Sequence, residues 1–395
     1  MSWFIHAWGA GIALFWASAA ARVEKGRRDA GWRLGPDAPV APDLPRLQVV
    51  IPARNEAANI AECIATIRAS DHPAVDILVY DDGSTDGTGE IARAAGARVL
   101  DGGGGTLPEG WKGKPWALQR ATAPGLIDAD WILFLDADVR VVPQALSRAH
   151  THALAEGLDF LTGFGRLTMI GFWEKVIQPS VGGLILSGND LGKVNNPKRP
   201  EDLIANGQFI LVRRAAYEAV GRHEAVRSDI LDDVGLARVF FAGSFTTRCL
   251  FMRDLFSCRM YTTFRELWLG WTKNLYAGLH HRPHVVILVC GFLLVDLLSP
   301  YALVPLGLAT GRMDVFAWGV GLVVLIHAVR YWMDGIFGQD RRYGLLQPLG
   351  TVILMGMLLD SLRRSRGGSV QWKGRTYAVR KEDDTLRRLP EAPPS

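Results

Sequence analysis

Short apolar runs separated by a helical pattern predict a layered α/β domain in the first half of the chain. The runs that predict buried strands are residues 47–52, 75–80 and 131–135. The last run is entirely apolar and rich in aromatic and branched side chains, as in the strands of a parallel sheet. Between the first two runs, Ile60, Ile64 and Ile67 recur at helical spacing. Strands that alternate with helices at this short spacing indicate an α/β fold with a parallel sheet.

A much longer apolar run at the N-terminus predicts a membrane anchor. Residues 3–21 have the length of a membrane span and are followed at once by Arg22, Lys25, Arg27 and Arg28. A secretory signal peptide is the alternative, but it would carry its basic residues before the apolar run. The pattern therefore favours an uncleaved anchor whose basic end faces the cytoplasm.

Three further apolar runs near the C-terminus are each long enough to span a membrane. They are residues 285–309, 315–333 and 345–362. If all three cross and the soluble domain faces the cytoplasm, the basic residues after position 362 lie outside, against the positive-inside rule. Either one of the three runs lies in the membrane interface or re-enters, or the positive-inside rule fails for this chain. The last run, residues 345–362, is the one that we expect not to cross. Residues 164–188 are too interrupted to span and predict a partly buried or interfacial helix.

These patterns divide the chain into five predicted segments. They are a membrane anchor at 1–22, a basic, proline-rich linker at 23–45, an α/β domain at 46–282, a transmembrane region at 283–362 and a basic, partly disordered tail at 363–395.

Composition adds little to this picture. The chain has 44 basic and 40 acidic residues, and the resulting net charge of +4 is too small to indicate a nucleic-acid partner. The four cysteines have neither Cys-x-x-Cys spacing nor a metal-binding pattern. We therefore expect free structural thiols in a reducing compartment.

The candidate chemistry begins where the third predicted strand ends. Asp136 and Asp138 follow the run 131–135, and they point the same way because side chains alternate along a strand. Ligands of open α/β sheets bind outside the carboxyl ends of the strands, and this is such an end. Paired carboxylates suit a divalent metal ion that also carries substrate phosphates. The alternative is an acidic turn without a ligand, since Asp is common where strands stop.

Three motifs, taken in order, resemble the signature of family 2 glycosyltransferases. They are Val50-Ile51-Pro52-Ala53-Arg54-Asn55-Glu56, Asp81-Asp82-Gly83-Ser84-Thr85-Asp86 and Asp136-Ala137-Asp138. The order and spacing match over about two thirds of the chain. The resemblance implies a GT-A fold, flanked in this chain by N-terminal and C-terminal transmembrane helices, and a nucleotide-diphosphate sugar as donor.

The resemblance also implies roles for individual residues. The residues that would bind the donor nucleotide are Pro52, Ala53, Glu56, Asp81, Asp82, Lys114 and Asp136. Asp138 would hold a divalent metal ion, Mn²⁺ or Mg²⁺, across the diphosphate. Asp136 would contact the ribose or metal-bound water. The alternative for the second motif is a capped turn without a ligand.

Residues 107–119 extend the resemblance to one branch of the family. Their Leu-Pro-x-Gly-Trp-x-Gly-Lys form is similar to the branch associated with hopanoid and carotenoid lipids. Lys114 stands at a predicted helix start, where the helix dipole would help it to reach a phosphate. A solvated surface lysine is the alternative. The preceding glycines, residues 102–105, lack Walker or Rossmann spacing and predict a flexible surface turn.

Two more carboxylates open a predicted helix within residues 230–237. By the resemblance, Asp233 is the general base that takes the proton of the acceptor hydroxyl in an inverting displacement, with Asp232 as the fallback. The alternative is an acidic helix N-terminus that the helix dipole stabilises.

Residues 261–279 lack the Gln-x-x-Arg-Trp motif of the family's processive polysaccharide synthases. Trp271 and Lys273 lie there instead, where the first could stack on a sugar and the second could meet the diphosphate. Both could equally be membrane-interface anchors. The missing motif favours a single sugar transfer.

Together these features predict a metal-dependent glycosyltransferase in the inner membrane, multi-pass, with a cytoplasmic catalytic domain and a lipid acceptor. The acceptor would approach from the membrane side, between residues 164–188 and 268–279.

A polyprenyl-phosphate acceptor is the runner-up. A non-catalytic nucleotide-sugar sensor or scaffold and a Rossmann dehydrogenase are alternatives from other classes. The dehydrogenase is weakened because no Gly-x-Gly-x-x-Gly follows the first strand.

Overall fold

The computed structural model describes residues 2–28, 30–189, 191–366, 369–372, 375–378, 385, 388 and 389. The chain divides into two units. The sheet unit comprises Ala30–Thr168, Asn189–Met260 and Lys373–Ser395, and the helical unit comprises Met1–Asp29, Met169–Gly188 and Tyr261–Trp372. The five domain bounds expected from the sequence stay a prediction, and most of the tail at 363–395 beyond Arg366 lies outside the described residues.

The strands and helices are numbered in chain order within the described residues. The strands are β1 (Leu47–Ala53), β2 (Val75–Asp81), β3 (Arg98–Asp101), β4 (Trp131–Leu135), β5 (Val139–Val141), β6 (Phe160–Phe164), β7 (Arg166–Leu167), β8 (Phe209–Arg213), β9 (Thr247–Phe251), β10 (Phe256–Cys258), β11 (Ser369–Trp372) and β12 (Arg375–Ala378). The helices are α1 (Ser2–Arg28), α2 (Ile60–Arg68), α3 (Thr88–Ala94), α4 (Gly113–Ala121), α5 (Ala145–Ala155), α6 (Phe172–Gly188), α7 (Leu191–Val194), α8 (Arg214–Ala219), α9 (Asp232–Ala242), α10 (Phe264–Gly278), α11 (Pro283–Phe292), α12 (Ser299–Ala309), α13 (Met313–Phe337) and α14 (Gln347–Arg366).

The main sheet of the sheet unit has the strand order β3-β2-β1-β4-β8-β6-β9. The first four of these strands are parallel, whereas β8 is antiparallel to both β4 and β6. The sheet is therefore mixed, and the prediction of a parallel sheet is wrong at β8. An apolar run reads the same in both directions, so the pattern that predicts a strand does not predict its direction.

β4 is the most deeply buried part of this sheet, with helices over both of its faces. Leu133 and Leu135 pack into the core on the side of α2 and α5, whereas Ile132 and Phe134 pack into the core on the side of α4, α8 and α9. Each such side chain, when fully buried, contributes about 1.5–3 kcal/mol of transfer free energy. This burial fixes the position at which β4 ends and the polar turn after it begins.

In the helical unit, four helical stretches among the described residues are long and apolar enough to cross a membrane. They are Trp3–Lys25, Pro283–Ala309, Met313–Phe337 and Arg341–Arg366. The second stretch joins α11 and α12 through a π-helical turn at Leu293–Leu298. The predicted membrane helices at both ends of the chain are thus confirmed in length and composition.

Glycines bring three of these helices into close contact. A Cβ atom on Gly307 would overlap the backbone of Phe316, so α12 and α13 touch backbone to backbone. A Cβ atom on Gly9 would overlap the ring of Trp318, and the Trp318 indole donates a hydrogen bond to His6 Nδ1 at 2.8 Å, which joins α1 to α13. Small residues at helix contacts are typical of packing between membrane helices.

α14 packs against α6 and α10, and its apolar side also meets α11. A Cβ atom on Gly350 would lie 2.5 Å from Ser180 Oγ of α6. The Trp268 indole of α10 donates to Asp360 Oδ2 of α14 at 2.8 Å. Ser361 of α14 also donates to a backbone carbonyl of α10 at 2.5 Å. Polar side chains therefore hold the end of α14 to α10, and Gly350 lets α14 approach α6 closely.

All four cysteines are free and buried, as the sequence predicts. Burial raises the pKa of the Cys63 and Cys249 thiols to about 12. Their reactive thiolate forms are therefore scarce at neutral pH, which fits structural rather than chemical roles.

Two buried histidines pair in the sheet unit beneath Trp131. His72 and His150 are 6% and 0% exposed, and His72 Nε2 lies 2.9 Å from His150 Nδ1, so that one ring donates and the other accepts. Burial lowers the pKa of both rings. With the added repulsion of a charged His72, the pKa of His150 falls to about 3. The folded protein thus keeps this pair neutral well into the acid range.

We expect the protein to lose stability as the pH falls below about 6.5, where histidines of the unfolded chain take up protons. The folded pair binds protons only at lower pH, so each buried histidine lowers the free energy of unfolding by about 1 kcal/mol per pH unit in that window. Thermal unfolding of the full-length protein in detergent would measure the shift. His150→Asn should reduce the pH dependence, whereas His284→Asn, at an exposed position, should not. Equal pH dependence in wild type and His150→Asn would contradict this account.

Candidate functional site

The carboxyl ends of β1, β2 and β4 meet at one edge of the main sheet. β1 and β2 pair in a register that sets Pro52 and Ala53 beside Tyr80 and Asp81, and β4 is the other parallel neighbour of β1. The predicted nucleotide-binding residues at the ends of β1 and β2 therefore adjoin the turn that carries Asp136. The topology brings these candidates together because parallel strands end at the same edge.

Hydrogen bonds tie the loop after β1 to the loop after β2. The Asp82 amide donates to the Ala53 carbonyl at 2.9 Å. Asn55 has a φ of 53°, in the left-handed region that Asn tolerates better than most residues. Its amide donates to Ser84 Oγ, and its side-chain oxygen accepts from the Thr85 amide, each at 2.9 Å. The edge is thus held in shape by its own side chains.

Glu56 lies half-buried in the first of these loops. Its amide donates to Thr88 Oγ1 at 2.8 Å, and its carboxylate accepts from Asn59 Nδ2 at 3.0 Å. The next amide, of Ala57, donates to Asp86 Oδ2 at 3.0 Å. Asp86 and Thr88, which sequence reasoning did not single out as site residues, therefore position the backbone around Glu56.

Two glycines allow the loop after β2 to approach the glycine run after β3. Gly83 and Gly104 have φ values of 68° and 66°, and a Cβ atom on Gly83 would overlap the Cα atom of Gly104. The expected flexible turn at 102–105 is therefore packed backbone to backbone against the second motif. Sequence reasoning missed this contact because glycines without a known spacing are weak signals.

Lys114 joins two pairs of carboxylates at the edge. Its Nζ donates to Asp136 Oδ1 at 2.6 Å and to the Gly207 carbonyl at 3.1 Å. The Gly207 amide donates in turn to Asp233 Oδ2 at 2.7 Å. Asp233 Oδ1 accepts from the Val234 amide at 2.8 Å. Lys114 is therefore not a solvated surface lysine, and the two predicted centres around Asp136 and Asp233 are neighbours.

The charges of this cluster depend on one another. Burial disfavours the charged form of Lys114, but the carboxylates of Asp136, Asp232 and Asp233 outweigh it and raise the pKa of the ammonium. Burial also raises the pKa of Asp233, although Lys114 and two backbone amides oppose the shift. A carboxylate with a raised pKa is a stronger base, which suits proton removal from an attacking hydroxyl.

Asp136 and Asp138 offer the oxygen donors that a divalent cation prefers. Among the residues that the structure describes, no group of three or more His, Cys, Asp or Glu side chains could hold a metal ion. A magnesium-like ion does not need such a group, because one or two carboxylates together with waters and substrate phosphates suffice. Asp138 also lies beside the Cys258 thiol. Burial raises the pKa of this thiol, and the negative charges of Asp138 and Asp136 raise it further. The two carboxylates thus fit an ion that arrives with a phosphorylated substrate.

Gly207 and Gln208, which precede β8, also belong to this cluster, although they are not among the predicted catalytic, donor-binding or metal-binding residues. A Cβ atom on Gly207 would lie 3.0 Å from Lys114 Nζ and 3.2 Å from Asp233 Oδ2, so a larger residue would crowd both. The Gln208 carbonyl accepts from the Asp136 amide at 3.3 Å and helps to shape the turn after β4. The Asn-Gly-Gln run before β8 is a recognisable turn sequence, but the residues that it contacts, Lys114, Asp136 and Asp233, are distant in sequence.

The two predicted acceptor or diphosphate residues, Trp271 and Lys273, lie on α10 of the helical unit, whereas the other predicted site residues belong to the sheet unit. The Trp271 indole donates to Gln178 Oε1 of α6 at 3.2 Å, and its ring meets Tyr261 edge to face. Trp271 thus also joins two helices. The acceptor or diphosphate role of both residues stays a prediction.

The C-terminal segment contributes a contact that the sequence did not predict. Thr385 Oγ1 and the Arg388 guanidinium donate to the two oxygens of Asp229, and Arg388 also donates to Ser228 Oγ. Asp229 is 4% exposed and lies against the first turns of α9, where a Cβ atom on Gly235 would overlap its carboxylate. We call this group the tail clamp. It holds the loop that leads into Asp232 and Asp233.

Comparison with known proteins gives a consistent result. Residues 48–221 match the family model "Glycosyl transferase family 2". Two curated proteins from Staphylococcus aureus strains MRSA252 and USA300, each named 4,4'-diaponeurosporenoate glycosyltransferase, are 27% identical, over 85% of this chain and 89% of the relative. The mannosyltransferase PcManGT from Pyrobaculum calidifontis, solved with GDP-Man and Mn²⁺, has a TM-score of 0.52 at 16% identity. That match covers 92% of this chain and 97% of PcManGT and confirms the predicted GT-A fold.

We expect the tail clamp to stabilise the loop before α9. Arg388→Ala removes charged hydrogen bonds to the buried Asp229, which are worth about 1–3 kcal/mol. Amide hydrogen exchange in residues 222–235 of the full-length protein should therefore become on the order of tenfold faster. Asp229→Asn should have a similar effect, and the double variant should add little, because both changes break one contact. Fully additive effects, or unchanged exchange in Arg388→Ala, would show that the clamp does not hold the loop.

Proposed function

Because the chain is a glycosyltransferase with a family 2 domain at residues 48–221, we propose that it moves one sugar from a nucleotide-diphosphate donor to a hydroxyl of a hopanoid-like or carotenoid-like lipid. The transfer would invert the configuration at carbon one of the sugar. The observation that carries the proposal is the chain of contacts from Asp136 through Lys114 and Gly207 to Asp233. It brings the proposed diphosphate-binding residues and the proposed general base side by side.

The donor nucleotide would bind at the sheet edge formed by the ends of β1 and β2. The proposed contacts there are Pro52, Ala53, Glu56, Asp81 and Asp82. Carbonyl and carboxylate oxygens accept hydrogen bonds from base N–H groups and ribose hydroxyls, which apolar side chains cannot do. The hydrogen bonds between the two loops support this assignment, since a preformed site loses less entropy on binding. The GDP-Man bound to PcManGT also supports a donor of this class.

The donor diphosphate would lie next to Lys114, Asp136 and Asp138. The two carboxylates would hold Mn²⁺ or Mg²⁺, and such an ion, when bound, neutralises charge on the departing diphosphate. Lys114 adds a fixed positive charge from the protein, and its pKa keeps it protonated at neutral pH. Lys114 also limits repulsion between Asp136 and the carboxylates at the start of α9 before the donor binds.

Asp233 would act as the general base. Two backbone amides fix its carboxylate, so its orientation does not depend on the substrate. As the acceptor oxygen bonds to carbon one of the sugar, the bond from carbon one to the diphosphate breaks. Asp233 takes the hydroxyl proton at the same time. The raised pKa of Asp233 favours this transfer.

A lipid acceptor and a membrane location complete the proposal. The four apolar helices support a membrane protein, and the Staphylococcus aureus relatives are named for a carotenoid-derived substrate. The absence of Gln-x-x-Arg-Trp from residues 261–279 favours a single transfer over polymer synthesis. The catalytic side would face the cytoplasm, at the inner membrane, because nucleotide sugars are made there. Trp271 and Lys273 remain proposed contacts to the acceptor or the diphosphate.

Asp233→Asn should lower kcat by about 10²–10⁴-fold, the usual contribution of a positioned base. The amide oxygen can still accept from Gly207, whereas the bond from the Val234 amide is lost, so donor affinity should change little and stability should fall by about 1 kcal/mol. Asp232→Asn is the matched control, because it alters the neighbouring carboxylate, and it should retain most of the activity. A large loss of kcat in Asp232→Asn, with activity retained in Asp233→Asn, would assign the role of general base to Asp232. A strong loss of donor binding in Asp233→Asn would instead place Asp233 in the donor site.

The activity of the wild type should fall with acidification as Asp233 takes up a proton. Because burial raises the pKa of this carboxyl group, the fall should begin at a higher pH than for an exposed aspartate.

Asp138→Ala should abolish metal-dependent transfer. Membranes that contain the full-length protein would be incubated with labelled nucleotide sugars and Mn²⁺ or Mg²⁺, and label would be followed into the organic-solvent fraction. Wild type should label a lipid with one donor, whereas Asp138→Ala should fall to background. Asp128→Ala, at a carboxylate that is 94% exposed, should match the wild type. Equal labelling by Asp138→Ala and wild type would remove Asp138 from the proposed mechanism.

The same assay distinguishes the remaining alternatives. A product that releases its sugar under mild acid and carries phosphate would indicate a polyprenyl-phosphate acceptor. Donor binding without labelling of any lipid, even after addition of lipid extracts, would favour the non-catalytic nucleotide-sugar sensor.

A further inference from the structure

The C-terminal segment belongs to the same unit as the catalytic carboxylates. The chain leaves the sheet unit after Met260, and the sheet unit resumes at Lys373. Thr385 and Arg388 bond to Asp229 within that unit. A soluble unit lies on one side of a membrane, so the chain must cross an even number of times between Met260 and Lys373.

Three apolar stretches lie between these two points in the described part of the chain, and three is an odd number. They are Pro283–Ala309, Met313–Phe337 and Arg341–Arg366. We propose that the third stretch, which contains α14, does not cross the bilayer but lies along its surface on the catalytic side, in contact with lipid. This inference rests on the membrane association proposed above.

The neighbours of α14 identify it as the stretch that does not cross. α6 is attached to the sheet unit at both ends, since the residues before Met169 and after Gly188 belong to that unit. A single helix attached in this way cannot cross. α14 packs on α6 at Gly350 and Ser180 and on α10 at Asp360 and Trp268. A crossing α14 would draw these two helices, with their polar contacts, into the bilayer.

The other apolar helices have the contacts expected of spans. α12 and α13 form a hairpin whose glycines bring the backbones together, and α1 packs on α13. Phe15 of α1 also meets Phe292 of α11, with ring centroids 5.0 Å apart. The contact between His6 and Trp318 pairs the start of α1 with the start of α13, as expected of two spans that cross in the same direction. These contacts join the three crossing stretches to one another directly, and none of them involves α14.

The side chains of α14 fit a lipid surface as partner. The exposed apolar residues Leu349, Val352 and Leu359 recur at helical spacing and form one stripe, whereas Thr351 and Ser361 are buried on the opposite side. Arg363, Arg364 and Arg366 follow at the end of the helix. An apolar stripe beside basic residues suits the boundary between acyl chains and anionic headgroups. With α14 on the surface, these arginines stay on the cytoplasmic side, in agreement with the positive-inside rule.

Single cysteines at the two ends of the stretch would test this topology in the full-length protein. Arg342 and Arg363 are 86% and 75% exposed and flank the apolar residues. Arg342→Cys and Arg363→Cys should both react with a membrane-impermeant maleimide in inverted inner-membrane vesicles and not in intact cells. Glu90→Cys, in the sheet unit, should behave like them, and Thr310→Cys, between α12 and α13, should show the opposite pattern. The four native cysteines are buried, and the unaltered chain measures their background.

Labelling of Arg342→Cys and Arg363→Cys from opposite sides would show that α14 crosses and would overturn the inference. Protease removal of a C-terminal tag from otherwise unaltered protein gives a second readout that needs no substitution in α14. The tag should be cleaved in inverted vesicles only. Release of the protein from membranes by alkaline carbonate would instead remove the premise of membrane association. That outcome is distinguishable, because it does not depend on which side is labelled.

Discussion

The site depends on one partly buried cation, the Lys114 ammonium. Asp136, Asp232 and Asp233 would repel one another at the polar edge of the sheet, and the Lys114 ammonium offsets this repulsion before any substrate is present. Removing one partner of such a cluster leaves an uncompensated charge, which is costly in partly buried surroundings. Lys114 therefore stabilises this cluster of carboxylates and lies where the proposed diphosphate site would need positive charge. In the proposed mechanism, structural support and donor recognition depend on the same side chain.

The main sheet makes this arrangement possible. β4 is apolar along its whole length and packed on both faces, so its polar continuation can begin only after Leu135. The parallel strands β1 and β2 end at the same edge as β4, and the antiparallel β8 begins there, which places Gly207 between Lys114 and Asp233. A mixed sheet thus supplies groups to the edge both from strands that end and from a strand that starts.

Sequence patterns predicted the strands, the membrane helices and the fold class, because burial and periodicity are local properties. The motifs also placed Asp136 beside the ends of β1 and β2, since strand order follows from topology. The direction of β8, the left-handed Asn55 and the Gly83–Gly104 contact were not predictable in this way. Each depends on residues that are distant in the chain. The bond of Thr385 to Asp229 is a further case, because it joins residues 156 positions apart.

The helical unit is assembled from segments that are synthesised at the beginning, in the middle and near the end of the chain. During translation, α6 emerges long before α10 and α14. Ile177 and Val181 of α6 are fully buried in the finished protein, but they are exposed until these two helices have been made. A fragment that stops at Met260 would keep them in that exposed state. A soluble catalytic fragment therefore requires redesign of the α6 surface as well as removal of the terminal helices.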